Sequence, residues 1–499
     1  MYLVTTVSPV FFTGAMQINV TKAPFTLTTR IENMTTVRAS SQEWLSDQEL
    51  QAISSLNRSQ PEMLPIRQCV EAYSKPFQNT YRNLFVVLDT AESNTVLSTR
   101  TSSPRDIQPY SWICDGTRAN STGFCSNQNL QESAVSWSLD GDRVKYCLCE
   151  RAAGLCELNF HHTLLIIVIS ANAAKLVAML VLLNFFDESA LITLGDAIAS
   201  FMDEPDPTTR GMCLADHKVF CSKRNTDGAS TWTCQKRRYT PNGYPVRWFR
   251  TVSFGQWVRT FSIMICVLLA TIVLCVTATR HVAKVNPDQD MSLKGLFSMG
   301  FGALRISSTL TNISSRIEVL VIVANIPQLV LSFAYVLVNR VLSGMASSRE
   351  WASFAHKRAG LRVTRALGEQ RSTYYLQLPY SLAVPQIATS IAVHYIVSQS
   401  VFASRVQIYD YLAQGQQFDE YRALGFSAIA IIAGIVLWFF IMAALLGLGL
   451  VKNRPGMPPV GFWSAAISAA CHPPRFPQNT SLKKVMWGEI KPYGSHDAT

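Results

Sequence analysis

The sequence predicts an all-α, polytopic membrane protein with about five transmembrane helices and an N-terminal, disulfide-braced, mostly extended outer domain. Three observations carry that prediction. Of the 499 residues, 48% are hydrophobic and only 15% are charged, whereas soluble domains carry about a quarter charged residues. Five stretches, 163–183, 261–279, 319–338, 380–403 and 426–451, match the apolar length of about 20 residues that a helix needs to cross a hydrocarbon core. The formal charge of +11 is unevenly divided: residues 1–162 hold 13 basic and 15 acidic side chains, and residues 163–499 hold 31 and 18. The apolar content excludes intrinsic disorder. The scarcity of charged groups excludes a soluble nucleic-acid binder, whatever the sign of the net charge.

Residues 1–162 read as the outer domain. Six of the 12 cysteines fall there: Cys69, Cys114, Cys125, Cys147, Cys149 and Cys156. An even number in an oxidising compartment points to disulfides, with the connectivity left open. Trp44, Trp112 and Trp137 supply a small core, and residues 84–88 read as extended. Sequons that make the region a glycoprotein candidate stand at Asn19, Asn33, Asn57 and Asn120. A further sequon at Asn312 lies too near the third span for use, and that at Asn479 falls in the tail. Residues 1–15 lack the basic start and long apolar run of a signal peptide. The first span would therefore have to translocate the whole domain backwards, so the expectation is that upstream spans are missing.

The loops orient the spans, because basic loops face the cytosol. Residues 231–260 contain six basic side chains and no acid, residues 339–379 seven against two, and residues 452–499 six against two. Residues 404–425 contain two against three. All the basic regions share one side if the N-terminal region is outside, which makes 184–260, 339–379 and 452–499 cytosolic and 280–318 and 404–425 outer. The loop 280–318, with five basic and three acidic residues, agrees less well. Residues 297–310 are apolar but include Arg305 and are too short to span; they read as interfacial or re-entrant. The location implied is a plasma membrane or endomembrane, with the basic regions against anionic inner-leaflet lipids.

Polar groups inside the spans are the functional candidates. Lys175 sits near the middle of the first span, beyond easy reach of the headgroups, where burial costs about 2.5–3.5 kcal/mol on insertion scales. Asn172 lies one helical turn before it. Asn325 and Gln328 lie together in the third span, and His394 with Ser398 in the fourth. One reading is a polar pathway for a proton, ion or small solute, and so a channel- or carrier-like protein. The other is interhelical hydrogen bonding, worth about 0.6 kcal/mol per contact, in a non-transporting scaffold or receptor-like protein. Pro327, beside Asn325, would free backbone carbonyls for a midplane site.

No phosphate-cradling glycine loop, HExxH helix or GxSxG elbow is present, which argues against an enzyme. Nothing implies a cofactor. Cys213, His217, Cys221 and Cys234 form a weak zinc pattern without a CxxC pair, and reduced cytosolic thiols are the better reading. Thr193 and Asp196 have capping-box spacing, which predicts a helix over 193–202. Asp203, Glu204 and Asp206 read as a solvated turn. Residues 369–379, with Arg371, Tyr374 and Tyr375, suit an interfacial anchor.

Several longer stretches add a resemblance. Residues 194–209 read LGDAIASFMDEPDPTT, 349–354 read REWASF, and 369–379 read EQRSTYYLQLP. Residues 398–402 read SQSVF, and 454–474 read RPGMPPVGFWSAAISAACHPP. Together, over most of residues 155–488, these resemble a fungal family of multi-spanning membrane proteins carrying a domain of unknown function. The resemblance implies an integral membrane location and further spans upstream. It supplies no activity, substrate or site residue.

Overall fold

The computed structural model describes residues 10–22, 62–75, 80–89, 96–102, 110–114, 125, 134–139, 142–151, 162–185, 191–215, 220, 244–287, 289–310, 316–374, 378–410, 416–458, 460, 463–472 and 479–488. Its helices are α1 (Ile66–Tyr73), α2 (His162–Phe185), α3 (Leu194–Asp203), α4 (Phe254–Val285), α5 (Leu293–Ser298), α6 (Ile317–Ser353), α7 (Tyr380–Ser400), α8 (Ala428–Gly449) and α9 (Ser464–Ala470). Five of them, α2, α4, α6, α7 and α8, are long and apolar enough to cross a membrane. Pro327 and Pro385 lie inside α6 and α7, which continue through them.

The chain divides into two compact units, with the divisions falling inside the five long helices. The first unit comprises Met1–Val177, Val273–Pro327 and Ile396–Ile432. It holds a nine-stranded mixed sheet built from β1 (Val10–Lys22), β2 (Glu62–Leu64), β3 (Tyr81–Leu88), β4 (Val96–Ser102), β5 (Ser138–Leu139), β6 (Asp142–Arg151) and β7 (Thr309–Leu310), with two further strands described below. Leu84, Phe85, Val86, Val87 and Leu88 of β3 are all buried, so the extended reading of 84–88 is realised as a strand covered on both faces. Cys69 pairs with Cys147 and Cys114 with Cys125. Cys149 is free and buried, and Cys156 lies outside the described residues. Trp112 and Trp137 pack in this core, and the Trp137 indole N–H donates to the Ile113 carbonyl at 2.8 Å. Trp44 lies outside the described residues.

The all-α expectation is corrected here for the loops between the spans. In the structure α7 stops at Ser400, and Val401–Ala403, expected to end the fourth span, open a hairpin of β10 (Val401–Asp410) and β11 (Gln416–Phe426). An apolar average cannot detect that change. β-branched and aromatic residues (Val401, Phe402, Val406, Ile408, Tyr409) take over there from helix formers. The hairpin joins the sheet: residues 10–15 of β1 run parallel to 405–410 of β10, while residues 18–22 of β1 run parallel to 84–88 of β3. β7 adds to β11, so part of 297–310 is strand. Glu420 holds the hairpin face, bonding Arg405 at 2.7 Å and Arg422 at 2.8 Å. Those hydrogen bonds, Arg405's first, outweigh the effect of burial and draw its carboxyl down to about 2.

The second unit comprises Ala178–Ile272, Gln328–Tyr395 and Ala433–Thr499. Its core gathers Ile198, Met212, Trp351, Phe354, Leu361 and Ile467. The expected capping box is present: Thr193 Oγ1 accepts from the Asp196 N–H at 3.1 Å, and Asp196 Oδ2 accepts from the Thr193 N–H at 2.9 Å. Asp196 also receives the Thr364 N–H (2.8 Å) and hydroxyl (2.7 Å), next to the short parallel pair β8 (Arg362–Val363) and β9 (Arg371–Ser372). Burial raises the Asp196 carboxyl, but the Thr364 and Thr193 bonds outweigh it and leave it below the usual range. A Cβ at Gly195 would run into the Arg362 backbone, so glycine lets α3 approach that strand.

Candidate functional site

In the second unit, α4, α6, α7 and α8 line a partly open cavity of ≈ 200 Å³. Its walls are mostly apolar, from Met264, Leu331, Val338, Trp438, Leu445 and Leu448. α8 is held against α4 here, because the buried Trp438 indole N–H donates to the Met264 carbonyl at 2.9 Å. The polar lining comes chiefly from α7: Ser381 near its start, and Gln386, Thr389, Ser390 and His394, whose spacing puts these four on one side of the helix. At one end, Gln328 of α6 closes on His394: its Nε2 donates to the His394 carbonyl at 3.0 Å, and its Oε1 accepts from Nδ1. An amide oxygen only accepts, so the proton sits on Nδ1 and the ring is held in one tautomer. Gln386 Nε2 is buried and has no hydrogen-bond partner among the described residues. A buried donor left unmade costs about 1–3 kcal/mol.

Of the sequence candidates, the structure therefore brings Gln328 and His394 together. Asn325 faces outward, its amide donating to the Val321 carbonyl of its own helix at 2.8 Å. Lys175 and Asn172 are exposed on α2, and neither lines the cavity. No residue in the apolar window of α2 is buried. Gln386, Thr389 and Ser390 were not singled out from sequence; their i, i+3, i+4 spacing in α7 is the signal that would have found them. The metal pattern is mostly untestable by geometry, since His217, Cys221 and Cys234 lie outside the described residues. Among the described residues no group of three or more His, Cys, Asp or Glu side chains is placed to hold a metal.

A family model for a domain of unknown function, DUF8419, matches residues 221–498. The chain belongs to this family. No curated protein and no solved structure matches the chain. The DUF8419 segment contains α4, α6, α7 and α8, and with them every residue lining the cavity; α2, α3 and residues 194–209 lie before it.

A second polar cluster links one of those earlier residues to the DUF8419 segment. Thr209 Oγ1 lies 2.8 Å from Ser468 Oγ and 2.9 Å from His472 Nε2, which joins two of the motif stretches. Burial holds the His472 ring below the ordinary histidine range, against the upward pull of Asp206. The trio invites comparison with a hydroxyl–imidazole nucleophile, but Thr209 and Ser468 are 0% and 1% exposed and offer a substrate no approach. Burial pushes the neighbouring Cys471 thiol up to about 12, so it is protonated and unreactive at neutral pH. The cluster is a buried tie between segments. Similar ties are Trp248 Nε1 to Asn453 Oδ1 (2.6 Å), Asn453 Nδ2 to Ser348 Oγ (3.1 Å), and Trp351 Nε1 to the Pro458 carbonyl (3.0 Å).

Proposed function

We propose that the protein is a multi-pass membrane protein that takes a small lipophilic ligand into the cavity of α4, α6, α7 and α8, as a carrier or receptor does and a channel does not. The observation that carries this reading is an apolar cavity with one buried donor, Gln386 Nε2, left without a partner. Apolar walls with a few placed polar groups are the usual make-up of a small-molecule site. The ligand that fits has an apolar body and a single hydrogen-bond acceptor, such as an ester or ketone. Continuous ion passage is disfavoured, because Asn325 is satisfied within its own helix and Gln328 with His394 satisfy one another. The test is photolabelling of the full chain in liposomes with a diazirine-bearing fatty-acid ester. Adducts on α7 that disappear in Ser390→Trp, which fills the cavity, support the reading; adducts unchanged by that substitution overturn it.

The same reading places the N-terminal region outside, as a disulfide-braced domain glycosylated at Asn19, Asn33, Asn57 or Asn120, and the basic loops against anionic inner-leaflet lipids. Its sidedness is supported by how the segments group. Every segment read as outer belongs to the first unit, and every segment read as cytosolic belongs to the second. Glycosidase-sensitive mass lost in Asn57→Gln or Asn120→Gln is the expected result, and labelling of Lys483 from outside intact cells would reverse the orientation.

One observation favours a scaffold as the second reading. Lys175 is exposed on α2, and the five spans read from sequence contain no Asp or Glu to pair with it. An intramembrane cation is stabilised by a partner of opposite sign, so the scaffold reading calls for a transmembrane helix carrying a carboxylate. Crosslinking from a Leu176→Cys variant to such a protein would favour it.

A further inference from the structure

The second unit contains another pocket, of ≈ 370 Å³, outside the helical cavity. One wall is aromatic, from Trp351, Phe354 and Trp487. The charged lining residues are Arg358 and Lys484, and among the described residues no carboxylate lines it. His472 also lines it, with its Nε2 already engaged by Thr209.

The backbone brings the two cation-bearing segments together. Ala359 and Val485 form an antiparallel bridge, exchanging N–H···O bonds of 3.0 Å in both directions. Arg358 and Lys484 are the residues next to the bridged pair, one on each segment, and both line the pocket, as Val485 itself does. The segment is pinned further by the Trp487 N–H on the Phe354 carbonyl (3.0 Å) and the Glu369 N–H on the Leu482 carbonyl (2.8 Å). Glu369 accepts the Lys484 backbone N–H at 3.1 Å, while neither Arg358 nor Lys484 makes a side-chain ion pair or hydrogen bond with any described residue. Two cations with no side-chain partner among the described residues, in a pocket that is also lined by aromatic rings, match a phosphate joined to an apolar or planar group.

We infer that this pocket, independently of the helical cavity, binds an organic phosphate between Arg358 and Lys484, with the ligand's apolar part against Trp351, Phe354 and Trp487. An anionic phospholipid headgroup and a water-soluble phosphate ester share that chemistry. The experiment uses the full chain in phosphatidylcholine nanodiscs and follows tryptophan emission in two arms. One arm titrates glycerol phosphate, and the other compares discs with increasing phosphatidic acid. A saturable response in the first arm alone identifies a soluble ester, in the second alone a lipid headgroup, and in both a site that accepts either. In the responding arm, Arg358→Gln and Lys484→Gln each weaken the apparent Kd by about tenfold, and Lys484→Arg restores it. Lys483→Gln, which removes the adjacent charge outside the pocket, changes it by less than about twofold. Because Arg358 and Lys484 are exposed, these variants keep the parent's melting temperature. No saturable response in either arm overturns the inference. So does an equal loss from Lys483→Gln, which would mark diffuse attraction between a basic surface and an anionic membrane.

Discussion

Helices α2 and α8 are both long, uncharged over most of their length and apolar enough to span, yet they are used differently. α8 places Trp438 in a buried position with its indole bonded to the Met264 carbonyl, and it supplies one wall of the cavity. α2 buries none of its apolar window and carries Lys175. The contrast separates two quantities that hydropathy merges. Hydropathy reports transfer from water to hydrocarbon, and both helices satisfy it. Packing in a membrane depends on shape and on interhelical hydrogen bonds, because lipid tails are as apolar as leucine.

The comparison can be broken most directly at Trp438. Trp438→Ala removes a large packed side chain and the donor to Met264, and it is expected to cost about 3–5 kcal/mol of reversible unfolding free energy in mixed micelles. Lys175→Leu acts in the other sense. It should lower the insertion cost of α2 by about 2.5–3.5 kcal/mol in a glycosylation-reporter assay in microsomes; no change would mean that water or a partner already solvates the ammonium. Gln328→Leu strips His394 of its Nδ1 acceptor and should cost about 1–3 kcal/mol, with ring-nitrogen NMR reporting loss of the single tautomer. The smallest effect is expected from Leu180→Ala, below about 0.5 kcal/mol in the same unfolding experiment. A cost comparable with that of Trp438→Ala would show that α2 has a packed partner.

Acid offers a separate comparison within the first unit. Glu420 is held at about 2 against an ordinary value near 4.5. Its contribution is complete above the ordinary value and is lost as pH falls toward the folded one. The pH dependence of the β10–β11 hairpin's amide protection should therefore fall mostly between those values, and Glu420→Gln should flatten it.

The five long apolar helices were legible, for reasons that can be traced to particular residues. The five spans follow from runs such as 426–451, where no ionisable group interrupts some seven turns of helix, and the Thr193–Asp196 box marks the start of α3 by spacing alone. The site was half legible. His394 and Gln328 drew notice because polar groups are costly in a span, and they do meet. Lys175 drew notice for the same reason, yet it lies on a helix whose apolar window has no buried residue. Gln386 passed unnoticed because, in a helix already carrying His394 and Gln399, one more amide looked ordinary. The sheet was the larger omission. Val401–Ala403 are as apolar as the helix before them, and one of the two partners of β10 lies almost 400 positions earlier in β1, a distance over which local pattern carries no information.

By itself, the sequence determined where helices can cross, which loops carry the basic charge and which side chains are costly in hydrocarbon, because each of these is a sum over neighbouring residues. Only the tertiary structure decided that residues 10–15 pair with 405–410, that Gln328 meets His394 while Asn325 bonds its own helix, and that Arg358 and Lys484 flank one bridge. Those outcomes depend on contacts between distant segments, where a single hydrogen-bond register determines which side chains share a face.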